Sequence, residues 1–268
     1  MKIDMHWITP FFQFLGNRFL TFILELGHIT IFFTSSFVRL FQYPWQFQKL
    51  MHQIYFIGVK SISVVCLTAL FTGMVLGLQG YYTLVQFGSE GLLGSAVAVS
   101  LIRELGPVLT AIMIIGRAGS SMAAEMGIMR ISDQIDALTT MDIHPKRFLI
   151  SPKIGASLVS FPLLTAIFDV VGICGGYLSG VILLGINPAL YINGMEKTVV
   201  MNDVSGGFIK SVVFAIIVST ICLYQGYYTH RRADGFGAKG VSFSTTAAVV
   251  ISCVTVLVAD YVLTSFLL

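Results

Sequence analysis

The sequence predicts an all-α integral membrane protein, and two observations carry that prediction. Hydrophobic residues make up 56% of the 268-residue chain and charged residues only 11%, whereas a soluble domain has about 25% charged residues. A membrane-spanning helix needs about 20 apolar residues, and the chain has five runs of that kind: 61–82, 92–115, 148–184, 208–228 and 246–268. We therefore expect a transmembrane domain of five helices over residues 51–268, preceded by a separate region over residues 1–50.

The N-terminal region contains a further apolar stretch, between residues 11 and 40, that carries a polar stripe. Its polar side chains recur at spacings of three, four or seven, which places them on one side of a helix: Arg18, Thr21, Glu25, His28, Ser35 and Arg39. This pattern predicts a helix that lies in the membrane interface with the stripe toward water. The alternative is a sixth span, against which Glu25 and His28 near its centre argue.

The third apolar run, 148–184, is too long for one straight span. Pro162 inside it predicts a kink, with the first part of the run along the interface. Glycines repeat at four-residue spacing within two of the runs, and such pairs allow helices to approach closely in lipid: Gly73/Gly77, Gly172/Gly176 and Gly176/Gly180. Packing within one subunit and a dimer seam are both open interpretations, and the first is favoured.

Lysine and arginine are concentrated in alternate loops, which predicts the orientation of the chain. The loop after the second run contains Arg117, Arg130, Lys146, Arg147 and Lys153, and the loop after the fourth contains Arg231, Arg232 and Lys239. The other two loops contain only Lys197 between them. We expect the basic loops and the N-terminus to be cytoplasmic and the C-terminus to be periplasmic.

Arg103 and Glu104 are the most informative residues of the chain, because they lie in the middle of the second apolar run. Ionisable residues at that depth normally face a bundle interior or a water-filled cavity. Adjacent helical residues point about 100° apart, so the two do not simply pair with each other. Pro107 removes the helical hydrogen bond to the Arg103 carbonyl. Two interpretations are open: Arg103 grips a phosphate, or both residues belong to a structural ion network with Lys210, Asp169 or a partner chain.

Four other polar residues accompany this pair. Lys210 stands at the outer end of the fourth run, where it either snorkels to the interface or adds a second cation to a lipid cavity. Asp169, inside the third run, is a candidate buried partner for a cation. Gln79 and Tyr82 end the first run and complete the candidate cavity residues, although anchoring in the aromatic belt also explains the tyrosine.

The cytoplasmic loop of about residues 117–147 contains an amphipathic pattern. Ile128, Ile131, Ile135 and Leu138 repeat at 3-4-3 spacing, which predicts a short helix outside the bilayer. Its charges are of both signs, so a partner's groove fits better than a lipid surface.

No motif for chemistry is visible in the chain. It contains no GxxxxGK[ST] and no HExxH, the signatures of a phosphate-binding loop and of a zinc protease helix. Its four cysteines stand singly in apolar runs. We expect no enzymatic activity, no metal and no cofactor in this chain, and ATP, if used, to be bound by a partner subunit.

Several longer motifs carry a resemblance to a known family. They are RELGPVLTA from residue 103, GRAGS from 116, AEMG from 124, DQIDAL from 133, GMVLGLQG from 73, SPK from 151, IKSVVFA from 209 and the Thr245–Thr246 pair. From about residue 50 to the end, in order and without large gaps, the chain resembles the MlaE/YrbE permeases of MCE-type ABC transporters. Residues 1–50 match poorly in sequence, though their amphipathic pattern is similar.

The resemblance implies a permease of a phospholipid transporter that maintains the lipid asymmetry of the outer membrane, located in the bacterial inner membrane. It implies a homodimer that works with two cytoplasmic ATPase subunits, a periplasmic hexamer of MCE-domain proteins and commonly a STAS-domain protein. The fold implied is an interfacial helix plus five spans, similar to exporter-like lipid ABC transporters. It places Arg103, Glu104 and Lys210 at the lipid cavity. It also implies that the segment after Glu125 is the coupling helix that docks on the ATPase, which makes the following residues the candidates for coupling: Glu125, Ile128, Ile131, Ile135 and Leu138.

Two other functions remain as alternatives. One is an ion-coupled secondary transporter that uses Arg103 and Glu104 as a relay, although five spans do not divide into two equal inverted repeats. The other is a structural membrane anchor of a periplasmic complex.

Overall fold

The computed structural model describes residues 8–40, 46–231 and 237–267, and within these ranges every regular element is helical. Eleven α-helices are described, at the following bounds: α1 Ile8–Leu40, α2 Phe47–Ile57, α3 Ile62–Val85, α4 Leu93–Ser100, α5 Gly106–Ile114, α6 Ser120–Ile131, α7 Gln134–Thr140, α8 Ser151–Tyr177, α9 Pro188–Thr198, α10 Met201–Tyr227 and α11 Gly237–Leu267. Short 3₁₀ and π-helical segments join several of them.

Five continuous helical stretches are long and apolar enough to cross a membrane, which confirms the predicted class and number of spans. They are Phe47–Val85, Glu90–Ile131, Lys146–Leu183, Met201–Tyr227 and Gly237–Leu267. The first three are 38 to 42 residues long, about 57 to 63 Å at 1.5 Å per residue, against a hydrocarbon core of about 30 Å. Their ends therefore extend beyond the bilayer.

Helix α1 is not among these five helices in the part of the chain that is described. Of its polar stripe, Glu25 and His28 are exposed, as an interfacial helix requires. Ser35 instead accepts a hydrogen bond from Lys146 at 3.0 Å, and Phe32 is buried edge-on against Tyr224 of α10. The side chains of Arg18 and Thr21 lie outside what the structure describes. The interfacial location of α1 remains a prediction.

The third membrane helix is continuous through Pro162, and the predicted kink there, with the first part of the run along the interface, stays a prediction. Helix α8 runs from Ser151 to Tyr177 with Pro162 in its interior. A proline removes one hydrogen bond and crowds one turn, but neighbouring helices can sustain the helix in a membrane bundle. Here α8 packs against α2, α3 and α10 along its length.

The glycine repeats pack α3 against α8 within one subunit, as favoured from the sequence. A Cβ on Gly73 would lie 1.8 Å from the carbonyl oxygen of Gly172, and one on Gly77 would lie 3.0 Å from that of Gly176. Backbone therefore meets backbone at this crossing, which is the small-residue packing that replaces the hydrophobic effect between helices in lipid.

Candidate functional site

The second membrane helix is distorted where its two central charges lie. Leu101–Leu105 is π-helical, and α5 begins at Gly106 with Pro107 in its first turn. In a regular α-helix the N–H of residue 107 would donate to the carbonyl of Arg103, but proline has no N–H. The ammonium of Lys210 donates to that carbonyl instead, at 2.8 Å. Isolated π-turns of this kind often occur at functional sites.

Lys210 is the centre of a buried charge cluster that joins three membrane helices. Its side chain is 3% exposed and donates to Glu104 Oε2 at 2.9 Å and to the Thr264 hydroxyl at 2.7 Å. Its ammonium also forms an ion pair with Asp260 Oδ1 at 3.0 Å, without hydrogen-bond geometry. Lys210 therefore does not snorkel to the interface, because two carboxylates and a carbonyl inside the bundle replace its hydration.

Arg103 pairs with a different acid. Its Nε donates to Asp203 Oδ1 at 2.8 Å, and Asp203 Oδ2 accepts from the backbone N–H of Val200 at the N-terminus of α10. The side chain of Arg103 is 38% exposed, and within the described residues its two terminal nitrogens have no acceptor. As predicted, neighbouring Arg103 and Glu104 do not pair with each other. The planar end of the guanidinium remains free for an anion.

A glycine on α10 allows these charges to meet. Asp203, Gly207 and Lys210 lie four and three residues apart and so share one face of that helix. A Cβ on Gly207 would lie 2.6 Å from the carbonyl oxygen of Ile102. Only glycine permits this approach, which brings Lys210 to the π-helical turn and Asp203 to Arg103.

Asp169 does not join the cluster, although the sequence suggested it as a partner for a cation. Its Oδ1 is buried without a hydrogen-bond partner among the described residues, and it lies against Gly106, where a Cβ would come within 1.9 Å of it. The network interpretation thus holds for Lys210 and not for Asp169.

A small cavity of about 30 Å³ adjoins the cluster. Arg103, Glu104, Asp203, Lys210 and Thr264 line it, together with the start of α10 and Leu267. This is the space of about one water molecule, so a single chain does not enclose a lipid headgroup here. An anion would meet Arg103 at the rim.

The remaining cavity candidates lie elsewhere. Gln79 and Tyr82 are exposed near the C-terminal end of α3 and do not line this cavity. Their assignment to lipid binding stays a prediction. Within the described residues, no cluster of three or more histidine, cysteine or acidic side chains is arranged to hold a metal ion.

The predicted coupling helix is two helices. Helix α6 ends at Ile131, and α7 begins at Gln134 after Asp133, which has a left-handed φ of 55°. The apolar residues therefore do not form one face: Ile128 is 56% exposed, Ile135 is buried, and Ile131 and Leu138 are half-buried. The 3-4-3 spacing continued across a helix break at Asp133 that the sequence pattern did not reveal.

Polar contacts hold the α6–α7 segment to the bundle. Arg130 donates to Asp136 at 2.7 Å and to His230 at 2.9 Å, which joins α6, α7 and the turn that follows α10. Glu125 accepts from the buried Lys153 of α8. The candidate Glu125 is thus engaged within the chain, and its role in coupling remains a prediction.

Asp203, Asp260 and Thr264 belong to the site but were not singled out from the sequence. A signal existed for Asp260, since an acid within the apolar run 246–268 is by default a functional residue. For Asp203 the sequence signal was its position seven residues before Lys210, which places both on the same helical face. For Thr264 the sequence contained no such signal, since threonines are common in membrane helices and their hydroxyls bond the backbone of their own helix.

Comparisons with known proteins agree with the motif resemblance. A family model described as Permease MlaE matches residues 50–266. A probable ABC transporter permease protein of Rickettsia bellii is 39% identical over 250 residues, 93% of this chain and 95% of the relative. The intermembrane phospholipid transport system permease protein MlaE of Haemophilus influenzae is 38% identical over 261 residues, 97% of this chain and 98% of the relative. TRIGALACTOSYLDIACYLGLYCEROL 1, chloroplastic, of Arabidopsis thaliana is 34% identical over 229 residues, 85% of this chain and 64% of the relative.

Proposed function

This chain belongs to the MlaE permease family, and from that membership we propose that it is the membrane subunit of an ABC transporter for phospholipids. It moves them between the bacterial inner membrane and a periplasmic conduit of MCE-domain proteins, and so maintains the lipid asymmetry of the outer membrane. The Haemophilus relative, which is named as the permease protein of an intermembrane phospholipid transport system, supports this substrate class. The chain is a transporter subunit and not an enzyme.

The observation that carries the proposal is the free end of the Arg103 guanidinium. It lies within the apolar run of the second membrane helix, it is partly exposed, and Asp203 accepts a hydrogen bond only from its Nε. A phosphate diester can accept two parallel hydrogen bonds from the remaining nitrogens, a geometry that lysine does not offer. Lys210, by contrast, is fully engaged and braces the helices.

A second copy of the chain would complete the lipid cavity. The 30 Å³ beside Arg103 is far smaller than ligand pockets, which typically have about 300–1,000 Å³. Helix α11 also buries only a narrow stripe at every fourth residue: Gly240, Ser244, Ala248, Ser252 and Val256. Its other faces are open to lipid or to a partner subunit, which fits a homodimer with a cavity between the copies.

The remaining partners follow from what the chain lacks and from its charge distribution. Its sequence has no nucleotide-binding motif, so two partner ATPases would bind ATP. The basic loops support an orientation with the N-terminus and the α6–α7 segment in the cytoplasm and the C-terminus in the periplasm. The ATPases would dock at α6–α7, a STAS-domain protein would attach on that side, and an MCE-domain hexamer would sit opposite. ATP-driven closure would then rearrange the first, second and fifth spans.

The test combines the subunit and lipid composition of the purified complex with an assay of phospholipid transfer. Native mass spectrometry of the protein from its own membranes should show a dimer with an ATPase and bound phospholipid. In proteoliposomes that contain the whole complex, Arg103→Gln should lower ATP-driven transfer of a fluorescent phospholipid at least about ten-fold, since a lost charge-assisted bidentate contact removes 1.4 kcal/mol or more. Lys197→Gln, which removes an exposed lysine of α9, should leave transfer unchanged.

Two outcomes would favour the alternatives. Activity of the purified chain alone under a proton gradient would indicate an ion-coupled secondary transporter. Intact lipid transfer in both Arg103→Gln and Glu104→Gln, with assembly preserved, would indicate a structural anchor.

A further inference from the structure

A larger cavity lies at the opposite, cytoplasmic end of the bundle, away from Arg103. It has a volume of about 450 Å³, within the range of ligand-binding pockets. Helix α2, the first turns of α8 with the π-helical segment before it, and Glu125 of α6 form its walls. Gln48 and His52 in its wall are exposed, so the cavity opens to the surface.

Two buried polar groups of this cavity have no hydrogen-bond partner within the described part of the chain. Lys49 Nζ is buried over the ring of Phe148 and has no hydrogen-bond acceptor, and Gln53 Oε1 is buried without a donor. Lys153, which also lines the cavity, is 2% exposed and forms an ion pair with Glu125. A buried ammonium without an acceptor is strongly unfavourable. The cavity therefore calls for a ligand that offers an anionic acceptor to Lys49 and a donor to Gln53.

The outer face of α2 indicates where such a ligand comes from. Phe47, Met51 and Tyr55 recur every four residues and are all exposed, so they form an apolar and aromatic stripe along α2. By helical periodicity the stripe adjoins Gln48 and His52, the exposed residues of the cavity wall, and lies on the side of α2 opposite Lys49 and Gln53. Aromatic residues of this kind are enriched at the level of lipid headgroups. Acyl chains can lie on the stripe while a headgroup enters the cavity, which a soluble phosphate ester would not need.

We propose that this cavity binds the headgroup of a glycerophospholipid from the cytoplasmic leaflet. The phosphate accepts from Lys49, and an ammonium or hydroxyl group of the headgroup donates to Gln53 Oε1. Basic pockets between membrane helices on the cytoplasmic side are known to take lipid headgroups by this chemistry. The inference goes beyond the proposed function and does not depend on it, because no residue of this cavity belongs to the Arg103 cluster.

The test is site-resolved labelling of the full-length protein with a phosphatidylethanolamine that carries a photoreactive group next to its headgroup. Peptides that contain residues 46–53 or 148–153 should be labelled, and unlabelled phosphatidylethanolamine should compete. In Lys49→Gln the apparent affinity from this competition should fall about ten-fold, the effect of one lost charge-assisted hydrogen bond. Lys239→Gln removes an exposed lysine near the start of α11, away from the cavity and the stripe, and should behave as the unmodified protein.

Several results would overturn the proposal. One is unchanged labelling in Lys49→Gln, and another is labelling confined to other segments. Equal competition by dioleoylglycerol would mean that only the apolar stripe binds, and equal competition by glycerophosphoethanolamine would mean a soluble ligand. Loss of labelling when the partner ATPase is bound would make the cavity a protein-docking site. Since Lys49→Gln breaks no hydrogen bond of the described chain, its folding, checked by size-exclusion chromatography, should be preserved. Failure here leaves the Arg103 experiment unaffected.

Discussion

The ammonium of Lys210 lies 2.8 Å from the backbone carbonyl of Arg103, a hundred and seven residues earlier in the chain. Pro107 denies that carbonyl its helical partner, so one side chain caps a break in a neighbouring helix. The same ammonium holds Glu104 and faces Asp260. The distorted turn in the second span and Lys210 on the fourth span are therefore joined by direct contacts. Beside them Arg103 lies at the rim of the small cavity, and its terminal nitrogens have no acceptor among the described residues.

Replacing Lys210 by methionine should destabilise the protein by about 3 kcal/mol, the lower end of the cost of removing one partner of a buried ion pair. The reason is that Glu104 and Asp260 would face each other without a cation, with some relief because Glu104 is partly exposed. In thermal unfolding in detergent, we expect the apparent Tm to fall by roughly 6–12 °C. Lys197→Met, at an exposed position, is the matched control and should shift Tm little. An unchanged Tm in Lys210→Met would contradict the bracing role.

Replacing Thr264 by valine should cost about 1 kcal/mol, the net value of one hydrogen bond. The Thr264 hydroxyl accepts from Lys210 and can donate to Glu104 Oε1 at 3.1 Å or to the carbonyl of Asp260 at 2.8 Å. Thr255 of the same helix bonds only its own backbone, at Ile251, so Thr255→Val is the control. A double-mutant cycle with Lys210→Met should give a non-additive coupling. Strict additivity would show that Thr264 is not part of the cluster.

Adding a methyl group to Gly73 should separate α3 from α8. The new Cβ would lie 1.8 Å from the carbonyl oxygen of Gly172, a backbone atom that no side-chain movement can relieve. Overpacking of this kind typically costs about 1–3 kcal/mol, and the apparent Tm of Gly73→Ala should fall accordingly. Gly27→Ala on α1 meets nothing within 4 Å and should be neutral or slightly stabilising. Equal stability of the two variants would be inconsistent with this helix crossing.

Charged substitutions on the α6–α7 segment should have different effects at exposed and at buried positions: the first should disrupt docking of the ATPase, and the second should disrupt folding of the permease. Ile128 is 56% exposed and Met141, just after α7, is 69% exposed, so Ile128→Glu and Met141→Glu should yield a folded permease that no longer co-purifies with its ATPase. Ile135 is buried, and Ile135→Glu should reduce the amount of folded protein itself, because it buries a charge without a partner.

The control for this experiment is Met201→Glu, at an exposed residue on the predicted periplasmic side. It should retain the ATPase. If Ile128→Glu and Met141→Glu also retain it, the ATPase docks at another surface.

Much of the architecture was readable from the sequence, because hydropathy and charge are properties of contiguous residues. The five spans, the charges at the centre of the second one and the family motifs from Arg103 onward all needed only local pattern. The apolar spacing did not predict the structure correctly between Ser120 and Thr140, where a break divides one expected helix into α6 and α7. Asp133 takes a left-handed conformation and divides the apolar stripe, and a periodic sequence does not distinguish one helix from two.

Hydropathy pattern by itself determined that this protein is a bundle of membrane helices with charges it must keep away from lipid, and motif resemblance gave its family. The tertiary structure decided which charges meet. Arg103 and Asp203 are one hundred residues apart, and Glu104 and Thr264 one hundred and sixty. Helical periodicity gives the face on which a side chain lies but not the helix that covers this face. The pairing depended on a close approach at Gly207 and a carbonyl freed by Pro107, both of which act only once α10 is packed against the second span.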